Sequence, residues 1–166
     1  MFRRLTPSAK VAFVLALGSL IALVDQLTKE AAIESLEQFQ RVDVLGDLLG
    51  WYLTFNDSAA FSLGFGITWI FTLISASALT FILWRSVRIQ TWGWLLLAAC
   101  LTGGVTGNLI DRLTRAPGFG NGMVVDFIQI PFGFPIFNVA DCFITIPMVI
   151  VAIRIALGDR IGGVAK

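Results

Sequence analysis

The chain of 166 residues has the length of one domain, and 57% of its residues are hydrophobic, which is too apolar for an ordinary soluble fold of this size. Its 12 basic and 11 acidic residues nearly cancel, without the basic runs that are typical of nucleic-acid binding. The absence of histidine excludes serine–histidine and cysteine–histidine nucleophile pairs and the HExxH zinc motif. Composition therefore predicts a membrane protein with no metal and no nucleic-acid partner.

Four apolar segments are candidate transmembrane helices, at about 11–27, 66–84, 91–110 and 134–153. The second and third contain no charged residue over about 19–20 positions, which is the length an α-helix needs to cross the hydrocarbon core. Only 14 residues separate Lys10 from Asp25 in the first, so we expect this helix to end near the membrane interface with Asp25 drawn there. A cleavable signal peptide is the alternative, but no small-residue cleavage site follows, which favours a retained helix.

The lysine and arginine residues divide unevenly between the two sides of the predicted bundle. Eight of the 12 precede the first helix, separate the second from the third, or follow the fourth: Arg3, Arg4, Lys10, Arg85, Arg88, Arg154, Arg160 and Lys166. The positive-inside rule then places both termini in the cytoplasm. Most acidic residues are predicted on the opposite side.

The long segment between the first two helices has a strand-like pattern at about 40–60. Its β-branched and aromatic residues are interrupted by Gly46 and Gly50, which is typical of short strands joined by turns. We therefore predict an all-α membrane fold, a single domain with a four-transmembrane-helix bundle and a small extracytoplasmic β-rich element between helices 1 and 2. This element is expected on the membrane surface, with Trp51 and Tyr52 near the headgroups.

Polar side chains collect at the outer ends of the predicted helices, at Asp25, Asn108, Asp111, Arg112, Asn138 and Asp141. Asp141 lies within an apolar segment, where an aspartate costs roughly 2.5–3.5 kcal/mol near a helix centre, so a functional role is expected. Asp126 stands in a short apolar stretch that we expect to return the loop to the membrane surface. Two carboxylates held close share one proton and can activate water for peptide hydrolysis. A structural pair that joins loop to helix is the alternative.

Several neighbouring positions have a structural interpretation. Gly103 and Gly107 form a GxxxG pair, which favours close helix packing. Asp111 faces away from Asn108 by the helical period and is predicted to be structural. Asp25 and Lys29 are four residues apart and can pair, which leaves ion pairing and site support as two interpretations of Asp25.

Five short motifs, in the same order, resemble those of lipoprotein signal peptidase, the bacterial signal peptidase II, an aspartic protease with four transmembrane helices. They are Asp25-Gln26-Leu27-Thr28-Lys29, Phe55-Asn56-Asp57-Ser58-Ala59-Ala60-Phe61-Ser62, residues 103–112, Val125-Asp126-Phe127 and Phe137-Asn138-Val139-Ala140-Asp141. One position departs from the family pattern, since Ser58 stands where the family has glycine.

The resemblance implies that Asp126 and Asp141 are the catalytic dyad and that no cofactor is needed. It implies substrate binding or site support for Asp25, Lys29, Asn56, Asn108, Arg112 and Asn138. The implied reaction removes the signal peptide from diacylglyceryl-modified prolipoproteins by cutting before the lipidated cysteine. The implied partners are these substrates and membrane lipid, and the implied location is the extracytoplasmic face of the bacterial cytoplasmic (inner) membrane. The oligomeric state stays open, and a monomer is compatible with the sequence.

Two other classes of function make different predictions. A transporter or proton channel predicts polar residues through the depth of the membrane, together with inverted repeats. The ionisable groups of this sequence instead gather at one face. A scaffold protein without catalysis would leave Asp141 without a physical reason.

Overall fold

The computed structural model describes residues 5–57 and 68–162. Four helices are present in this part of the chain, α1 (Pro7–Ser35), α2 (Thr68–Ser86), α3 (Trp92–Thr114) and α4 (Val139–Ala156). Each is long and apolar enough to cross a membrane, which confirms the predicted four-helix membrane protein. Some of the predictions fall on residues outside the described ranges, at Arg3, Arg4, Ser58 to Ser62, the start of the second helix at 66, and Lys166.

Helix α1 is longer than predicted. It begins at Pro7, where Thr6 Oγ1 accepts a hydrogen bond from the backbone N of Ala9 at 3.2 Å, and it continues to Ser35. The prediction of an end near residue 27 was wrong. The physical reason is that Asp25 and Lys29 are both fully buried and pair with each other, so the helix continues through them without leaving either charge unpaired.

The other helix ends also differ from the predicted limits. Helix α3 extends four residues beyond the predicted 110, and α2 ends at Ser86 rather than 84. Helix α4 begins at Val139 rather than 134, because Asn138 caps it. The Asn138 side chain accepts from the backbone N of Asp141 at 3.0 Å, and Asp141 Oδ2 accepts from the backbone N of Asn138 at 3.1 Å. This reciprocal arrangement is a capping box, which fixes the first turn of a helix.

A three-stranded antiparallel sheet lies beside the helices, in the order β1 (Arg41–Asp43), β2 (Gly50–Asn56) and β3 (Val124–Gln129). The first two strands fall within the predicted β-rich element. The third comes from the segment between α3 and α4 and was not predicted to be a strand. Its register places Asp126 opposite Thr54 and Val124 opposite Asn56. The sheet therefore joins two segments that are distant in the sequence.

Helix α3 packs against each of the other three helices, and glycines allow the close approach. A Cβ atom at Gly103 would lie 2.5 Å from Ile21 Cβ, and one at Gly104 would lie 2.6 Å from the carbonyl oxygen of Ala140. A Cβ atom at Gly107 would lie 2.5 Å from Asp25 Oδ2. The predicted packing role of the GxxxG pair is confirmed, and Gly107 also makes room for a buried carboxylate.

Candidate active site

Asp126 and Asp141 are brought together by one fully buried residue, Asn138. Asn138 Nδ2 donates to Asp126 Oδ1 at 2.6 Å, and the backbone N of Asn138 donates to Asp141 Oδ2 at 3.1 Å. Asp126 lies in β3, whereas Asp141 lies in the first turn of α4. Because Asn138 contacts both carboxylates, it fixes the position of the strand aspartate relative to the helix aspartate.

Two further asparagines bind the remaining carboxylate oxygens. Asn56 Nδ2 donates to Asp126 Oδ2 at 2.9 Å, and Asn108 Nδ2 donates to Asp141 Oδ1 at 2.8 Å. Each of the four carboxylate oxygens therefore accepts a hydrogen bond from an asparagine. These donors come from β2, α3 and the start of α4, so the aspartates are held from three directions.

A buried ionic cluster lies next to these asparagines. Lys29 Nζ is 2.8 Å from Asp25 Oδ2 and 2.8 Å from Asp111 Oδ2, and all three side chains are fully buried. Lys29 Nζ also donates to Asn108 Oδ1 at 3.0 Å. The predicted pairing of Asp25 with Lys29 is present. Lys29 thereby connects the ionic cluster to the asparagine that binds Asp141.

Arg112 approaches the same cluster from α3. Its guanidinium carbon lies 5.5 Å from the ring centroid of Phe71 in α2, which is a cation–π distance. The negative charges of Asp126, Asp111 and Asp141 attract the guanidinium group. Arg112 therefore lies over an aromatic ring of α2, within the electrostatic influence of the carboxylates.

The environment of Asp126 favours a proton on this carboxyl group. Burial, followed by the negative charge of Asp141, raises the pKa of Asp126 to about 7. The hydrogen bonds from Asn56 and Asn138 act in the opposite direction, because they stabilise the ionised form. The net result is a carboxyl group that holds a proton up to about neutral pH beside a second carboxyl group.

Sequence reasoning missed part of the ionic cluster. Gln26 Nε2 donates to Asp111 Oδ1 at 3.2 Å, and Arg115 Nε lies 2.8 Å from the same oxygen. Arg115 also pairs with Glu30 at 2.7 Å. The spacing of four residues between Asp111 and Arg115 is a signal that could have indicated their pairing. Gln26 lies inside the first motif, but its partner is distant in the sequence.

Residues 17–157 of the chain match the sequence model of the signal peptidase (SPase) II family. The chain belongs to the signal peptidase II family. The lipoprotein signal peptidase of Leifsonia xyli subsp. xyli (strain CTCB07) is 47% identical over 128 residues, which are 77% of this chain and 59% of that protein. The lipoprotein signal peptidase of Mycolicibacterium smegmatis (strain ATCC 700084 / mc(2)155) is 37% identical over 135 residues, 81% of this chain and 57% of that protein. The chain thus spans less than two thirds of the length of these relatives.

A solved structure described as a bacterial membrane enzyme has the same fold as this signal peptidase II family member. The TM-score is 0.76 at 24% identity, and the match covers 86% of this chain and 91% of the other. The family expected from the five motifs is confirmed. In the structure, every motif contributes a described residue to the asparagine and ionic clusters: Lys29, Asn56, Asn108, Asp126 and Asn138. The remainder of the second motif, residues 58–62, lies outside the described part of the chain.

Proposed function

We propose that this protein is an aspartic endopeptidase that removes the signal peptide from diacylglyceryl-modified prolipoproteins. The observation that carries the proposal is the pair of Asp126 and Asp141, bridged by Asn138, in a member of the signal peptidase II family. The relatives named lipoprotein signal peptidase support the substrate class. The cut before the lipidated cysteine follows from the family resemblance.

We assign the two aspartates different roles in the reaction. Asp126 holds the proton that the pair shares, since its pKa is raised to about 7 by burial and by the charge of Asp141. We assign Asp141 the role of the base, because it lies in the first turn of α4, where the helix dipole favours an anion. Asn108 and Asn138 donate hydrogen bonds to the two oxygens of Asp141 and orient this carboxylate.

The reaction then proceeds by general acid–base catalysis. Asp141 accepts a proton from a water molecule as the water oxygen attacks the scissile carbonyl carbon, while Asp126 donates its proton to the carbonyl oxygen. When the resulting gem-diol collapses, the carbon–nitrogen bond breaks and the leaving nitrogen takes the proton from Asp141. Asp126 recovers a proton from a hydroxyl of the diol, which leaves a carboxylic acid. The pair is thus returned to its starting state with one proton.

The remaining predicted residues support this pair. Asn56 and Asn108 orient one carboxylate each, as Asn138 orients both. Asp25 and Lys29 belong to the ionic cluster beside Asn108. We assign Arg112 to substrate binding, because its cationic group lies within the field of the dyad and can bind a peptide carbonyl.

We place the active site at the extracytoplasmic face of the bacterial cytoplasmic membrane, with both termini in the cytoplasm. Basic residues gather at the opposite end of the bundle. Arg88 lies 4.7 Å over the ring of Trp84, and Arg154 lies 4.8 Å over the ring of Trp94. Lys10 Nζ donates to the carbonyl oxygen of Val87 at 3.3 Å. The positive-inside rule assigns such an end to the cytoplasm.

The substrate class is tested with two precursor peptides that differ only at the cysteine. The purified protein, in lipid nanodiscs, is expected to cleave the peptide with an S-diacylglyceryl cysteine and to leave the unmodified peptide intact. Mass spectrometry should place the cut immediately before the lipidated cysteine. EDTA should leave the rate unchanged, because carboxylates supply the proposed chemistry. Equal cleavage of both peptides, a cut elsewhere, or loss of cleavage in EDTA would contradict the proposal.

A further inference from the structure

Two buried carboxylates outside the dyad bind the backbone immediately before each of its members. Asp25 Oδ1 accepts a hydrogen bond from the backbone N of Ala140 at 2.8 Å, and Ala140 precedes Asp141. Asp111 Oδ2 accepts one from the backbone N of Val125 at 3.2 Å, and Val125 precedes Asp126. We propose that Asp25 and Asp111 are positioning residues that set the backbone from which the two dyad aspartates project. This inference rests on the proposed function.

Lys29 connects the two positioning residues. Its ammonium group lies 2.8 Å from an oxygen of Asp25 and 2.8 Å from an oxygen of Asp111. One buried cation therefore holds both carboxylates, and through them it links the start of α4 to β3. Since Asp25 lies on α1 and Asp111 on α3, the close packing of these helices at Gly107 also determines where the dyad stands.

The geometry of the reaction explains why such a link affects catalysis. The two aspartates must reach one water molecule and one carbonyl group at the same time, yet they lie on different backbone elements. A displacement of about 1 Å at a reacting group can lower the rate about 100-fold. Asn138 fixes the two carboxylate groups by donating a hydrogen bond to each of them. Asp25 and Asp111 fix the position of the backbone immediately before the same two aspartates.

Asparagine substitutions weaken these links with little change in side-chain volume. Asp111 accepts from Lys29, Val125, Gln26 and Arg115 through two oxygens. An asparagine offers one acceptor oxygen and turns an N–H donor toward the other partners. The same holds for Asp25, whose Oδ1 binds Ala140 while Oδ2 binds Lys29. Either substitution therefore leaves a donor facing a donor and displaces the side chain.

The link from Asp111 to Val125 and the link from Asp25 to Ala140 are tested separately by measuring both amides in each variant of the full chain. Amide hydrogen exchange is measured without substrate on protein labelled with ¹⁵N-valine and ¹⁵N-alanine. In Asp111→Asn the amide of Val125 should exchange about tenfold faster, with the amide of Ala140 little changed, and Asp25→Asn should give the reverse result. In both variants kcat for the lipidated peptide should fall about 100-fold while KM changes by less than about threefold.

A matched control separates positioning from general loss of stability. Gly18→Ala lies in the same interface of α1 with α3, and its Cβ would lie 2.8 Å from Thr102 Cγ2. It should lower the melting temperature yet leave both amides and kcat unchanged. The inference would be overturned if both amides exchanged in each aspartate variant at their wild-type rates. It would also be overturned if exchange became faster while kcat stayed at the wild-type value. Should one aspartate variant fail to fold, the other decides.

The exchange measurement also separates this inference from the proposed function. If the wild-type protein fails to cleave the lipidated peptide, the proposed function is wrong whatever the exchange rates show. If the wild type instead cleaves the peptide while the aspartate variants show neither the selective change in amide exchange nor the loss of kcat, only the positioning role is wrong.

Discussion

Substitution of either Asp126 or Asp141 by asparagine is expected to lower kcat by about 1,000-fold or more, within the range that general acid–base catalysis contributes. Asparagine keeps the shape and can hold a hydrogen bond, but it neither takes up nor releases a proton. Asp126→Asn removes the proton donor to the carbonyl oxygen, and Asp141→Asn removes the base that activates water. The measurement is the cleavage rate of the S-diacylglyceryl peptide.

The double variant and an exposed aspartate provide the controls. Residues that act as a unit are strongly non-additive, so Asp126→Asn with Asp141→Asn should be no slower than the single variants. Asp47 is exposed in the hairpin between β1 and β2, and Asp47→Asn should cleave at the wild-type rate. Turnover near the wild-type rate in either single variant would show that its aspartate does not carry the chemistry.

Replacement of Lys29 by methionine is expected to cost about 3–5 kcal/mol of the free energy of unfolding, the range for breaking a buried ion pair by removal of one partner. Lys29 and its partners Asp25 and Asp111 are all fully buried. Without the ammonium group, two carboxylates remain in a site closed to water. Thermal unfolding in detergent micelles measures the loss.

Neutralising the carboxylates should restore stability without restoring cleavage. The triple variant Lys29→Met, Asp25→Asn, Asp111→Asn contains no buried charge at these positions, so its melting temperature should lie well above that of Lys29→Met. Its kcat should stay low, because the backbone of the dyad has lost its ionic anchor. A Lys29→Met protein as stable as the wild type would show that the ionic cluster does not hold the bundle together.

Local sequence pattern predicted the helices better than their ends. Hydropathy falls at Asp25, so the first helix was expected to end near residue 27, whereas it continues to Ser35. The charge of Lys29 is compensated by Asp111, which is 82 positions away in the sequence and contacts it only in the folded bundle. The spacing of three between Asn138 and Asp141 is a signal that could have indicated their capping box.

For the candidate site too, local sequence predicted which residues take part, whereas contacts between distant segments decide how they are arranged. The motifs predicted which residues gather, and the structure brings Asp126, Asp141 and the three asparagines into contact. The strand that carries Asp126 was not predicted, because its pairing with β2 joins segments about 70 residues apart and a short apolar run has no distinctive local signal. Asp111 was expected to face away from Asn108, but Lys29 Nζ contacts both residues, so that expectation was wrong. The contact of Asp111 with Val125 depends on where β3 lies.

Infrared spectroscopy of the protein as a function of pH can measure whether Asp126 and Asp141 share one proton. Burial and the charge of Asp141 raise the pKa of Asp126 to about 7, so a protonated carboxyl band should disappear as the pH rises through about 7. Cleavage should decline over the same interval, because the pair then loses the proton that the carbonyl oxygen needs.

Two variants assign the band. It should be absent from Asp126→Asn, and in Asp141→Asn its transition should move to lower pH, because the like charge that opposes ionisation of Asp126 is gone. A transition for Asp126 near the ordinary aspartate pKa of about 4, at the same pH with and without Asp141, would show that the two aspartates do not share a proton.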